Sequence, residues 1–69
     1  MSTDIHWRIE ERDTGTLCAS GSAPTQAEAM REANRYALQY VQDGPIRMTL
    51  KHGRKVLAKV TAEIEGAQG

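Results

Sequence analysis

The chain has 69 residues, with nine Lys or Arg against nine Asp or Glu, two His and one Cys. A single Cys excludes an internal disulfide, and one Cys with two His falls short of the four ligands of a structural zinc site. We therefore expect no metal and no cofactor. A chain this short forms one domain with a small core, and such domains often gain buried surface by dimerising.

No segment has the composition of a membrane span or a leader. The first residues, MSTDIHWRIEERD, lack a basic stretch followed by an apolar run. No apolar stretch approaches the roughly 20 residues that cross a bilayer. The sequence predicts a cytoplasmic protein that does not bind membranes.

The first two predicted elements are strands. In IHWRIEER, Ile5, Trp7 and Ile9 alternate with polar residues, which is the pattern of a half-buried strand. A second strand, TLCASGSA, follows a short polar segment. Its alternation puts Cys18 on the polar face of the sheet, the same face as His6.

The turn between these strands predicts their register. Residues 13–15, Asp-Thr-Gly, are typical of a three-residue hairpin loop that ends in a left-handed glycine. Such a loop pairs Arg12 with Thr16. Counting outward from that pair, Trp7 lies opposite Gly21, so the largest side chain meets the smallest residue on the core face.

The segment PTQAEAMREANRYALQYVQDGP predicts the helix. Thr25 and Glu28 have the spacing of a capping box. At the other end, Gly44 suits the left-handed position and Pro45 cannot continue the helix. At about 100° per residue, the residues on the apolar side are Ala29, Met30, Ala33, Tyr36, Ala37, Tyr40 and Val41.

Two more strands follow the helix. PIRMTLK alternates, with Ile46, Met48 and Leu50 inward, and a fourth strand runs from about Lys55 to Ile64. Together the elements predict an α+β domain of ββαββ type with two layers, in which one helix packs on one face of a four-stranded, mainly antiparallel sheet. A right-handed crossover gives the strand order second, first, third, fourth.

The turn of the last hairpin is ambiguous. His52-Gly53 suggests a two-residue loop, whereas the apolar alternation from Val56 to Ile64 requires an odd loop length. We expect a loop of three or five residues around Gly53, or a bulge nearby. Val56 then faces the core and Leu57 the open face of the sheet.

The whole chain, 1–69, is predicted to be a single domain, ordered over about 4–64 and flexible over 65–69. The helix covers one face of the sheet, and the chain has no further element to cover the other. That second face must therefore be polar or paired with another subunit.

Protein–protein contact is the main functional hypothesis. The open sheet face or an exposed strand edge could bind a protein partner, which the sequence does not identify, or a second copy in a two-fold homodimer. The candidate interface residues are Arg8, Tyr36, Leu38, Thr49 and Leu57.

Nucleic-acid binding is the alternative, because cationic residues concentrate in the last hairpin. Residues 44–69 hold more than half of the Lys and Arg of the chain but only two of its acidic residues. Sheets that bind single strands stack bases on aromatic side chains, whereas Trp7 faces the core and both tyrosines lie on the helix. Contact with a duplex backbone remains open. The candidate contacts are Arg47, Lys51, Arg54, Lys55 and Lys59.

The sequence does not favour catalysis. His6 and His52 lie on different elements without a matching ligand or carboxylate. Cys18 as a nucleophile would need a base, for which His6 is near by diagonal reach at best, and no helix N-terminus lowers its pKa. Short loops on two layers also form few pocket walls. We therefore expect a non-enzymatic protein without a small-molecule ligand.

Overall fold

The computed structural model describes residues 4–64, so the expected flexible tail at 65–69 lies outside the described residues. The strands form one antiparallel sheet in the order β2-β1-β3-β4. The predicted ββαββ fold and strand order are thus confirmed. The elements are β1 (Ile5–Glu11), β2 (Leu17–Ala23), α1 (Gln26–Tyr40), a 3-10 turn (Val41–Asp43), β3 (Ile46–His52) and β4 (Lys55–Ala62).

The core lies between α1 and one face of the sheet, which we call the helix side; the other face is the open side. Ile9, Ile46 and Leu50 are the largest fully buried side chains. Ala29 and Ala33 are the buried residues of α1, and their small size lets the helix lie close to the strands. The helix packs mainly on β1, β2 and β3. The helix side of β4 is therefore left largely uncovered.

Trp7 packs between α1 and β2. It is 3% exposed and lies opposite Gly21, as predicted. Its ring stacks on Tyr36, with ring centroids 5.4 Å apart and an interplanar angle of 26°. A Cβ atom added to Gly21 would lie 2.6 Å from Trp7 Cζ2. A residue without a side chain is therefore required opposite the indole.

The helix begins as predicted and ends differently. The Glu28 N–H donates to Thr25 Oγ1 at 3.2 Å. At the other end, α1 passes into the 3-10 turn, and Gly44 has φ 149° and ψ 175°. This extended conformation is essentially restricted to glycine, but it is not the left-handed helical conformation that the sequence predicts. It sends the chain directly into β3.

The turn between β1 and β2 differs from the prediction by one residue. The Glu11 N–H donates to the Thr16 carbonyl at 2.9 Å, so Glu11, and not Arg12, pairs with Thr16. Gly15 has φ 76°, the left-handed conformation expected of it. The loop therefore contains four residues.

A β-bulge in β2 restores the predicted register further along the strand. Ile9 lies opposite Ala19 but Glu10 lies opposite Leu17, so Cys18 is an extra residue. The bulge turns Leu17 to the open side and Cys18 to the helix side, where Cys18 packs against the core. The prediction that Cys18 lies on the open side is therefore wrong.

The β3–β4 hairpin has a two-residue turn, Gly53-Arg54, with His52 opposite Lys55. Gly53 has φ 63°, which glycine adopts without strain. The predicted loop of three or five residues is wrong, whereas the predicted alternative, a nearby bulge, is confirmed.

The extra residue of this second bulge is Leu57. Leu50 lies opposite Ala58, but Lys51 lies opposite Val56. Leu57 therefore packs against the core on the helix side and Val56 faces the open side, the reverse of the predicted orientation for both. Beyond the bulge the predicted alternation holds, with Ala58 on the helix side.

We expect Gly21→Ala to lower the free energy of unfolding by about 1–3 kcal/mol, the usual range for overpacking a core. The added methyl group would collide with the Trp7 indole, because β2 backbone and indole are in close contact. Urea unfolding followed by circular dichroism measures the change. Ser22→Ala is the matched control, since Ser22 is the next residue of β2 and is exposed.

The same substitution in a Trp7→Phe background tests the cause. Phenylalanine lacks the indole atoms that approach Gly21, so Gly21→Ala should be less destabilising there than in the wild-type chain. An equal loss in both backgrounds would show that the collision is not the reason.

Candidate functional surfaces

The open side of the sheet is a polar surface arranged in three cross-strand rows. Thr49 lies in the middle row and is 6% exposed, because longer side chains surround it. The rows, read from β2 to β4, are Ser20-Arg8-Thr49-Lys59, Ser22-His6-Lys51-Val56 and Leu17-Glu10-Arg47-Thr61.

Positive charge predominates in these rows. They contain two Arg and two Lys against Glu10 as the one carboxylate. Arg8 Nη2 lies 3.9 Å from Glu10 Oε2, and half of the Arg8 side chain is exposed. Such a long, exposed pair neutralises the guanidinium weakly. The open side therefore presents a net positive face.

The cationic residues of the last hairpin do not form one patch. Arg47, Lys51 and Lys59 share the open side, as the nucleic-acid alternative requires. Lys55 lies opposite His52 on the helix side, and Arg54 is in the turn. Two of the five candidate nucleic-acid contacts thus lie off the shared face.

A hollow of about 650 Å³ lies on the open side over β1, β2 and β3. It is larger than the argument from short loops predicts, because long side chains on the strands themselves form its walls. The polar and charged side chains that line it are His6, Arg8, Ser20, Ser22, Thr49 and Lys51.

The candidate protein-interface residues lie on opposite sides of the sheet. Arg8 and Thr49 face the open side. Tyr36 covers Trp7 on the helix side, and Leu38, which is 71% exposed, lies on the same helix. Leu57 packs against the core. These residues therefore cannot form a single contact surface.

The sequence reasoning missed an apolar surface on residues 58–64, which we call the β4 edge. Within residues 4–64, β4 pairs with β3 along one edge and has no neighbouring strand along the other. Val60 is 40% and Ile64 44% exposed. The signal in the sequence is that the apolar alternation continues to Ile64. One helix is too narrow to cover all four strands, so some of these apolar residues had to remain exposed.

Cys18 lies far from the imidazole proposed as its base. It lines a cavity of about 220 Å³ with Tyr40 and Asp43, on the helix side. His6 is on the open side, so the sheet separates the two groups. The structure therefore does not bring a Cys–His pair together at this position.

The surroundings of Cys18 favour the neutral thiol. Burial raises the pKa of the Cys18 thiol, and the carboxylates of Glu11 and Asp43 raise this pKa further. The thiol also donates a long hydrogen bond to the Thr16 carbonyl at 3.8 Å. A raised pKa leaves less of the nucleophilic thiolate at neutral pH.

Within residues 4–64, no three side chains of His, Cys, Asp or Glu come together in a way that could hold a metal ion. The helix that the structure describes is too short and too polar to cross a membrane. Comparisons of the chain with protein-family models, with curated proteins and with solved structures find no match. The surfaces described above are thus what points to a function.

We expect Cys18 in the folded chain to be alkylated by iodoacetamide with a pH midpoint above that of the urea-unfolded chain. The raised pKa means that the thiolate forms at higher pH in the folded state, so the rate at pH 8 should also be lower. Asp43→Asn is the informative variant, because removing that carboxylate should bring the midpoint down. A folded-state midpoint at or below the unfolded one would contradict the assignment.

Proposed function

We propose that this chain is a non-enzymatic binding module that acts through protein–protein contact, as a two-fold homodimer joined along the β4 edge. One observation carries the proposal: among the described residues, β4 has an unpaired edge with partly exposed apolar residues on its helix side, with Lys59 on its open side and Glu63 just beyond its end. Exposed edges of this kind bind other strands by main-chain hydrogen bonds.

The geometry of antiparallel pairing limits the possible registers. Residues that face each other across an antiparallel pair point to the same side of the sheet. Helix-side residues such as Val60 and Ala62 must therefore face helix-side residues of the partner. This condition is met only when the two-fold axis passes through a residue, and not when it passes between two residues. The possible registers therefore differ in which residue of β4 lies on the axis.

Charge selects among these registers. An axis at Lys59 would place two lysines against each other, which is destabilising. An axis at Val60 would place Lys59 opposite the partner's Thr61. An axis at Thr61 places Lys59 opposite the partner's Glu63, twice in the dimer. We infer the Thr61 register, because it alone among these pairs opposite charges.

The same register satisfies the helix side. Val60 lies opposite the partner's Ala62, and Ala58 opposite the partner's Ile64, so each facing pair is apolar. The two helices lie on the same side of the joined eight-stranded sheet, with the two β4 strands between them. Each β4 then buries part of its exposed apolar side chains, such as Val60 and Ile64, against those of the other copy.

The Lys59–Glu63 pairing can be tested by exchanging the charges. We expect the wild-type chain to sediment as a dimer at micromolar concentration. Lys59→Glu and Glu63→Lys should each weaken dimerisation roughly tenfold, because two cross-strand pairs worth about 0.2–1 kcal/mol each become repulsive. The double variant should recover most of the wild-type affinity; the remainder reflects the exposed contact between Arg12 Nη1 and Glu63 Oε1, 3.8 Å long, which Glu63→Lys also removes. Arg31→Glu, on the outer surface of α1, is the control for a change in net charge.

Cysteine cross-linking tests the register independently. In a Cys18→Ser background, Thr61→Cys should form an intermolecular disulfide readily, because the two Thr61 Cα atoms would lie about 4.5–5.5 Å apart across the axis. Lys59→Cys is the matched control. In the proposed register residue 59 faces residue 63 of the partner, so the two introduced cysteines would be four residues apart along the strands and too far apart to form a disulfide. A chain that stays monomeric at high micromolar concentration would contradict the proposed dimer. Equal cross-linking at positions 59 and 61 would contradict the proposed register.

Nucleic-acid binding is the second candidate function. The observation that favours it is that Arg47, Lys51 and Lys59 share the net positive open side. These side chains are long enough to contact the phosphates of a duplex lying on the sheet, without reading bases. In the proposed dimer, the two open sides lie next to each other and double the length of this surface.

A duplex titration at two salt concentrations tests this candidate. If the open side binds phosphates, the double variant Arg47→Ala, Lys59→Ala should bind more weakly and lower the salt slope by about two. Lys55→Ala should have little effect, because Lys55 lies on the helix side. The absence of binding at low salt, or an equal loss from Lys55→Ala, would eliminate the candidate.

A further inference from the structure

The hollow on the open side has the chemistry of an anion site. Its lining combines Arg8, Lys51 and His6 with hydroxyl groups from three residues of β2 and β3, and no acidic side chain belongs to the lining. We propose that this hollow binds a phosphate group. This proposal concerns a different surface from the β4 edge and does not depend on dimerisation.

The pairing of the strands brings these side chains together from three elements. Arg8 lies opposite Ser20 on one neighbouring strand and Thr49 on the other. In the next row, His6 lies opposite Ser22 and Lys51. Neighbouring strands are about 4.8 Å apart and successive residues on one side about 7 Å apart. The six side chains thus lie within an area of about 10 by 7 Å, across which the long Arg8 and Lys51 side chains can reach one phosphate group.

Each kind of side chain has a separate role. The Arg8 guanidinium presents a planar fork of N–H donors, which matches two phosphate oxygens at once. Lys51 adds a mobile ammonium group, and the serine hydroxyls at the rim can each donate one hydrogen bond. Thr49 is nearly buried and so forms the floor of the hollow. A phosphate seated there would meet donors from several directions.

Competition for the Arg8 guanidinium from the neighbouring carboxylate of β1 is weak. The carboxylate nearest to Arg8 along β1 is that of Glu10, whose Oε2 is 3.9 Å from Nη2, beyond hydrogen-bond distance. Glu10 belongs to the neighbouring row and does not line the hollow. Arg8 can therefore turn to a phosphate without breaking a hydrogen-bonded ion pair.

Two sources offer the same chemistry, a small phosphorylated molecule and the backbone of a single-stranded nucleic acid. Leu17 is exposed at the edge of the hollow and could contact a sugar or a base in either case. The bound group is the same in both, so the two are distinguished by the ligand used in the experiment.

The experiment is an NMR titration of the ¹⁵N-labelled chain with pyrophosphate, and with sodium chloride at equal ionic strength as control. We expect saturable shifts confined to the amides of the hollow at millimolar pyrophosphate. Arg8→Gln and Lys51→Gln should each weaken binding about tenfold, the usual loss for a charge-assisted hydrogen bond. Arg31→Gln is the matched control, because Arg31 is an exposed cation of α1 outside the hollow. It should change the affinity less than twofold.

A short single-stranded oligonucleotide at equal phosphate concentration is the second arm. Tighter binding than pyrophosphate with the same loss in Arg8→Gln would identify a nucleic-acid backbone as the source; binding of pyrophosphate alone would identify a small molecule. Absence of saturable shifts with both ligands would overturn the proposal. Equal losses from Arg8→Gln and Arg31→Gln would also overturn it, since the net charge of the chain then accounts for the binding.

Discussion

The packing of Trp7 against a bare stretch of β2 backbone determines how the rest of the molecule is arranged. The indole occupies the space that Gly21 leaves, and Tyr36 covers it from the helix. Its Nε1–H is buried without a hydrogen-bond partner among the described residues, which costs about 1–3 kcal/mol. Burial of a large aromatic surface, about 150–250 Å², contributes roughly 4–6 kcal/mol and outweighs this cost.

This contact also explains why one edge of the sheet is left bare. Because Tyr36 must lie over Trp7, the helix sits above β1 and its neighbours, and a single helix cannot also cover β4. Val60 and Ile64 remain partly exposed as a result. The apolar β4 edge is thus a consequence of core packing on the same side of the sheet, toward its opposite edge.

The sequence was sufficient for the fold and for most of the register. Turn chemistry, capping residues and apolar alternation agree over β1, α1 and β3. The predicted Trp7–Gly21 pairing is correct because the bulge at Cys18 offsets the one-residue error in the predicted loop. The residues assigned to the wrong side lie at or next to the two β-bulges, at Cys18 and Leu57. A bulge adds one residue without a composition of its own, and the alternation on either side of it remains regular. Pattern reading therefore assigns the wrong side near a bulge and the correct side beyond it.

The candidate surfaces were less predictable than the fold, for a related reason. Whether Lys55 joins Lys59 on the open side depends on one inserted residue, and the Gly53-Arg54 turn could not be chosen over His52-Gly53 from composition. The hollow was also not predictable, because it depends on which side chains of three strands lie in the same two rows. The number of cations in a segment can be counted from the sequence. Which of them lie on the same side of the sheet can be determined only when the register of the strands is known.

The two free edges of the sheet differ in a way that affects how copies of the chain could add to one another. β2 is interrupted by its bulge at Cys18 and beyond it carries small residues, such as Ser20 and Gly21, which are poor templates for a new strand. β4 is regular beyond its own bulge, and in the proposed register it pairs with its own copy. Head-to-tail addition of β4 to β2 would continue without end, as in a fibre, whereas pairing of β4 with its own copy closes after two chains. The unequal edges therefore favour an assembly of limited size over open-ended growth.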